Sequence, residues 1–141
     1  MIYFLDTSVL MKRYFDEPGS APVLELFRRG EEIALARIAE AEAAAVICRA
    51  HHQGEISQRV RDRSLELLSQ DMTAARIIEI RRTLMKTVRR LVERWPLRGY
   101  DAVQLACAVK LRTEVGAVDV WCTDGELVAA ARGEGLRTTV V

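Results

Sequence analysis

Hydrophobic residues along the chain fall into short solid runs separated by longer stretches with helical spacing. Ile2–Leu5 is an apolar run rich in aromatic and β-branched residues, the pattern of a buried strand. Ile33–Ala36, Arg76–Ile80, Val118–Cys122 and Leu136–Val140 read as further strands. Between them, helices are predicted at Thr7–Phe15, Ser20–Arg29, Ala39–His52, Ser57–Gln70, Arg82–Trp95, Asp101–Arg112 and Gly125–Arg132. Ser20 is placed as an N-cap with Pro22 in the first turn, after the turn Asp16-Glu17-Pro18-Gly19. Gly30, Gly54 and Pro96 are the breakers that close three of the helices. In the fifth, Leu84, Val88, Leu91 and Trp95 make one stripe, and Arg82, Lys86, Arg89 and Arg90 lie off it. Strands alternating with helices predict an α/β fold with a mainly parallel central sheet of four to five strands flanked by helices.

Composition narrows this picture without redrawing it. At 141 residues the chain suits one domain, read here as 1–141, since no Pro-, Gly- or Ser-rich stretch divides it and no repeat occurs. Half the residues are hydrophobic and 29% are charged, which excludes a disordered chain. No apolar run approaches the ~18 residues of a membrane helix. The start Met-Ile-Tyr-Phe-Leu-Asp lacks a basic region and meets a charge at Asp6, so no secretory signal is expected. Cys48, Cys107 and Cys122 form no C-x-x-C pair and are expected as buried free thiols in a reducing cytoplasm.

The net charge of +1 excludes a polybasic tail, but it hides an asymmetry. Residues 57–98 carry 11 basic and 5 acidic groups, a net of +6, leaving −5 elsewhere. That is either an Arg-rich helix surface or the footprint of a polyanionic partner.

Four acids stand near strand-to-helix junctions: Asp6, Glu42, Asp101 and Asp124. In an open parallel sheet the carboxyl ends of the strands share one edge, and ligands bind in the crevice there. Asp101, Leu105, Ala108 and Arg112 lie on one helical row, which turns the carboxylate toward the protein body. Each acid also has an ordinary reading, for Asp6, Asp101 and Asp124 stand where N-caps stand. Glu40 and Glu42 both flank the apolar stripe of their helix, and periodicity does not choose between them. Oxygen-only ligands suit Mg²⁺ or Mn²⁺, and phosphodiester hydrolysis is the chemistry such a cluster serves. Thr7, Ser8 and Thr123 are suited either to orienting water or a carboxylate or to capping a helix. His51 and His52 are adjacent, without the i, i+4 spacing of a zinc pair. Trp95 and Trp121 lie in apolar patterns and are read as core. No P-loop, G-x-G-x-x-G or G-x-S-x-G is present.

Four segments carry a family resemblance. The opening Ile2–Phe15 with Asp16-Glu17-Pro18-Gly19-Ser20, then Ala41-Glu42 through Arg49, then Leu97-Arg98-Gly99-Tyr100-Asp101-Ala102-Val103-Gln104, then Trp121-Cys122-Thr123-Asp124 resemble, in order, the motifs of PIN-domain ribonucleases. The chain looks most like the VapC toxins of toxin–antitoxin pairs. The resemblance covers Ile2 to about Val140 and implies a sandwich around a parallel sheet. It also implies an acidic metal site of Asp6, Glu42, Asp101 and Asp124, choosing Glu42 over Glu40. Implied with it are Mg²⁺- or Mn²⁺-dependent cleavage of RNA, a VapB-type antitoxin crossing the acidic groove, and a homodimer. Two departures stand out: Gly125 replaces a larger polar residue, and Val103-Gln104 replaces a common Leu-His pair.

The leading expectation is therefore a metal-dependent endoribonuclease toxin, with Arg98, Arg82, Lys86, Arg89 and Arg90 as candidates for the RNA backbone. A phosphotransfer or receiver module fits less well, because Asp6-Thr7-Ser8 lacks the second acid of Asp-x-Asp and the last lysine is Lys110. A non-catalytic PIN relative that binds RNA or protein is the other alternative. Such proteins usually lack some of the four acids, and all four are present here.

Overall fold

The computed structural model describes residues Met1–Val141. Five strands form: β1 (Ile2–Leu5), β2 (Ile33–Ala36), β3 (Arg76–Ile78), β4 (Val118–Cys122) and β5 (Arg137–Val140). They assemble in the order β3-β2-β1-β4-β5 with every pairing parallel. Parallel neighbours require crossovers, which helices supply. These are α1 (Thr7–Met11), α2 (Ser20–Arg28), α3 (Ile38–His52), α4 (Gln58–Ala74), α5 (Leu84–Arg94), α6 (Gly99–Val115) and α7 (Gly125–Gly133).

The period-2 alternation of the strands divides the core between two faces. Ile2, Phe4, Ala34, Ala36, Val118, Val120 and Cys122 pack with α5, α6 and α7. Leu5, Ile33, Leu35 and Trp121 pack with residues of α1, α2, α3 and α4. All five residues of β4 are buried, as expected for a strand covered on both sides. No helix is long and apolar enough to cross a membrane.

Several boundaries differ from the sequence reading, each for a local reason. α1 ends at Met11, and the chain reaches Phe15 through tighter turns in which Lys12, Arg13 and Tyr14 donate to carbonyls three residues back. There Arg13 and Tyr14 turn to the buried Asp71 instead of extending a helix face. Gly19, at φ +89, takes the N-cap position expected for Ser20, whose hydroxyl instead donates to the Phe15 carbonyl. β3 stops at Ile78, and Glu79 pairs with Arg37. α4 runs on to Ala74. α6 begins at Gly99 with Arg98 as its N-cap and continues to Val115, where Gly116 ends it at φ +85. Asp101 is therefore inside the first turn of α6 and caps nothing.

The remaining singled-out residues fall into place. Trp121 meets Tyr3 edge-on at 5.9 Å, and its indole N–H donates to Asp119 at 3.1 Å. Cys107 and Cys122 are buried, Cys48 is half-buried, and all three are free. Burial pushes the Cys107 and Cys122 thiols up to about 12, which keeps them unreactive. His51 sits in the last turn of α3, with Nδ1 3.2 Å from the Ile56 carbonyl.

α5 lies antiparallel to α6. Thr83, Leu84 and Thr87 at its start share a hollow with Val109, Lys110, Thr113 and Glu114 at the far end of α6. Its other end is anchored by Trp95, whose indole N–H donates to Glu134 at 2.9 Å. A Cβ on Gly133 would stand 2.2 Å from the Trp95 ring, so only glycine permits this approach. Gly133→Ala is expected to lower stability by about 1–3 kcal/mol, the range for overpacking. Urea unfolding checks it, and an unchanged midpoint would show that the Trp95 ring yields freely.

Candidate active site at the carboxyl edge of the sheet

Asp6 follows β1 directly. Its backbone N–H continues the β1–β4 ladder by donating to the Trp121 carbonyl at 3.1 Å. The side chain is the N-cap of α1, accepting from the Val9 N–H at 2.9 Å. Asp124, two residues beyond β4, caps α7 in the same way, accepting from the Glu126 N–H at 2.8 Å. For these two acids capping and site membership are compatible, because a cap uses only part of a carboxylate's accepting capacity. Glu42 arrives from the second turn of α3 and Asp101 from the first turn of α6.

The four acids line one cavity of about 310 Å³, together with Thr7, Ser8, Thr123, Gln104 and Arg98. Met11 and Val46 add an apolar wall. A larger groove of about 700 Å³ runs between the end of α1 and α4, but its lining mixes paired and opposed charges with no carboxylate cluster.

Two short hydrogen-bond chains order the acids. Ser8 Oγ lies 2.9 and 3.0 Å from the two Asp6 oxygens and 2.7 Å from Thr123 Oγ1. A hydroxyl has one proton and the ionised carboxylate has none, so Ser8 donates to Asp6 and Thr123 donates to Ser8. On the opposite side Thr7 Oγ1 donates to Glu42 Oε1 at 2.8 Å. Gln104 Nε2 donates to both partners, to Thr7 Oγ1 at 2.9 Å and to Glu42 Oε1 at 3.0 Å. Gln104 is buried, and its Oε1 has no hydrogen-bond partner. Such an orphan acceptor costs about 1–3 kcal/mol.

Burial, reinforced by crowding of like charge, shows in the acidities. Burial pushes the Asp6 carboxyl up to about 6, with Asp101 and Glu42 adding to it and the Val9 and Ser8 hydrogen bonds opposing. Asp101 is also raised, by burial first and then by Asp124, Glu42 and Glu126, while Arg98 opposes. Glu126 is thus a fifth acid near the cluster. The sequence signal for it was its place two residues after Asp124.

The donor set is all oxygen, so it fits a hard cation, whose charge would offset the repulsion. No three of the carboxylates converge on one point at ligand distance.

Of the basic residues expected to meet a polyanion, only Arg98 lines the cavity. Arg82 and Lys86 flank the start of α5, which meets α6 at Val109, Lys110, Thr113 and Glu114, roughly 12–20 Å along that helix from Asp101. Arg89 pairs with Glu93, and Arg90 with Glu134. Glu40, the rival of Glu42, is exposed and pairs with Arg37. Gln104 belongs to the third family-like segment, and the sequence alone does not place it in the site. Its position three residues after Asp101, on the same side of the helix, was the available signal.

A carboxyl group raised on folding contributes stability that is full below about pH 4 and is lost as the pH rises through about 6. For Asp6 the displacement corresponds to about 3 kcal/mol at most. Asp6→Asn keeps a cap acceptor and removes the charge. In chelator, the variant is expected to melt above the parent near neutral pH, the gap closing on acidification. Thermal unfolding across that range checks the sign, and a variant less stable than the parent at neutral pH would refute it.

The PIN domain family model matches residues 3–119. No curated protein matches the chain. Among solved structures, VapBC2 from Rickettsia felis, bound to a DNA fragment from its promoter, superposes with a TM-score of 0.70 at 15% identity, covering 100% of this chain and 99% of that one. FitAcB from Neisseria gonorrhoeae gives 0.70 at 18% identity, covering 98% and 96%. VapC20 from Mycobacterium tuberculosis, described as a sarcin–ricin loop cleaving toxin, gives 0.66 at 15% identity, covering 91% and 94%. These likenesses establish the shared fold. With a model match running from within β1 into β4 and taking in three of the four acids, the chain belongs to the PIN-domain family.

Proposed function

We propose that the protein is a divalent-metal-dependent endoribonuclease and serves as the toxin of a type II toxin–antitoxin pair. The observation that carries this reading is the single cavity that gathers Asp6, Glu42, Asp101 and Asp124 from four separate segments. Membership of the PIN-domain family supports it, as does likeness to VapC20, named as a sarcin–ricin loop cleaving toxin, and to VapBC2, solved with a fragment of its promoter DNA.

Asp6, Glu42 and Asp101 would together hold the principal Mg²⁺ or Mn²⁺, in part through the waters such an ion keeps, and Asp124 would hold a second ion or orient the attacking water. The metal would supply Lewis-acid activation of water and of phosphate oxygens. The protein's own groups have separate tasks. Ser8 and Thr123 keep Asp6 in one orientation, and Thr7 does the same for Glu42. Arg98, beside Asp101, offers a cation to the phosphate entering an otherwise repulsive pocket. Arg82, Lys86, Arg89 and Arg90 would meet RNA away from the scissile bond. A VapB-type antitoxin would cross the acidic groove, and the active form would be a homodimer in the cytoplasm, where three free thiols persist.

The test is cleavage of total RNA with Mg²⁺ or Mn²⁺, with chelator, and with folded Asp101→Asn in parallel. The variant is expected to lose at least about 100-fold in rate, the upper limit for residues that only support a ligand. A folded Asp101→Asn that still cuts would remove Asp101 from the site. Tight RNA binding without metal uptake or cleavage would favour the non-catalytic binding module instead. In the non-cleaving background, Arg98→Ala is expected to weaken RNA binding across sequences and to flatten the log–log salt slope by about 0.7–1. Titrations at several salt concentrations measure it, and an unchanged slope would remove Arg98 from the phosphate path.

A further inference from the structure

Gln104 is 3% exposed, and its amide is spent in one direction. Both protons of Nε2 are used, one on Thr7 Oγ1 and one on Glu42 Oε1. Thr7 gives its only proton to the same Glu42 oxygen. Rotating the amide by half a turn would set its carbonyl oxygen against that carboxylate and withdraw two donors. The orientation is therefore forced, although it leaves Gln104 Oε1 buried without a partner. Two donors from α1 and α6 thus converge on one oxygen of a side chain from α3, and Glu42 Oε2 receives no protein hydrogen bond. Both donors are neutral, so they fix the carboxylate without consuming its charge.

We propose that Gln104 is a positioning residue, resting on the metal-dependent reading above: it locks Glu42 through Oε1 so that Oε2 is presented to the cation. α6 then serves the centre twice, through Asp101 and, one turn later, through the amide that holds Glu42. A buried amide kept only for packing would not need this arrangement, since an apolar side chain of the same shape fills the space without an orphan acceptor.

The experiment measures Mn²⁺ binding to the full chain without RNA, by the loss of the free-ion paramagnetic resonance signal. Metal-free melting temperatures are recorded alongside. Gln104→Met keeps length and helix propensity and removes the donors. Its Mn²⁺ dissociation constant is expected to rise 10–100-fold, the range for partners that orient a metal ligand, with a melting temperature equal to the parent's or higher. Gln104→Leu should behave alike. Gln104→His, which retains one N–H donor, should recover part of the affinity.

Parental affinity in folded Gln104→Met would overturn the inference. A His variant no better than Met would overturn its hydrogen-bond origin. Unfolding of both apolar variants would overturn it as well, since the amide would then be holding the fold. Glu42→Gln separates the two levels of the argument. Binding that depends on Glu42 and not on Gln104 refutes this inference alone. A parent that takes up no Mn²⁺ refutes the proposed function with it.

Discussion

Parallel pairing of β1 with β2 on one side and β4 on the other is the constraint on which the site depends. It points the carboxyl ends of these strands to one edge, so residues that follow them must meet. Asp6 and Thr123-Asp124 are neighbours because Leu5 pairs with Trp121 one step earlier in the ladder. The same edge receives α3 just past β2, and with it Glu42. Gathering four carboxylates at a partly buried edge is costly, and Asp6 and Asp101 are raised by burial first and by their acidic neighbours after it. Helix caps and hydroxyls offset part of it, but they leave the charge in place.

The protein treats another buried acid quite differently. Asp71, also buried, is met by the Arg13 guanidinium at 3.2 Å and by the Tyr14 hydroxyl at 3.0 Å. That pair is neutralised within the fold, as buried ion pairs must be. Lys12, close to the acidic pocket in sequence, is turned away to Glu17 and the Pro18 carbonyl. The pocket thus keeps neutral donors around Asp6 and Glu42, with Arg98 the one cation in its lining. Uncompensated charge at one place, beside full compensation at another, is the pattern expected of a ligand site and is what the proposed function rests on.

The acids after strands were legible because strand ends are legible: an apolar run that stops at Asp6, and another that stops before Thr123-Asp124. Glu42 was not separable from Glu40 by periodicity, since both flank the same stripe. Their partners separate them, Thr7 and Gln104 for one and solvent-exposed Arg37 for the other. The start of α6 was read two residues late, which cast Asp101 as a possible cap. Arg98 fills that role without a side-chain hydrogen bond, a position that propensity does not mark. The basic residues of α5 were legible as a charged face but not as a location. Their distance from the cluster follows from α5 lying antiparallel to α6, a fact of packing that no spacing within α5 contains.

The amide–carboxylate contact in turn depends on how closely α6 approaches the sheet. The helix packs over β2, and Ala102 and Ala106 on one side of α6 share a fully buried core with Ala34 and Ala36 of the strand. Side chains of this size let the helix axis sit low. Its first turns then reach the edge where β2 gives way to α3. A bulkier residue at Ala36 or Ala102 would fill the same layer and push the helix outward, and close-packed interiors transmit such displacements. Hydrogen bonds of 2.8 to 3.0 Å between Thr7, Gln104 and Glu42 tolerate little of that movement. The alanines between α6 and β2 therefore set the separation at which one helix can hold the acid of another.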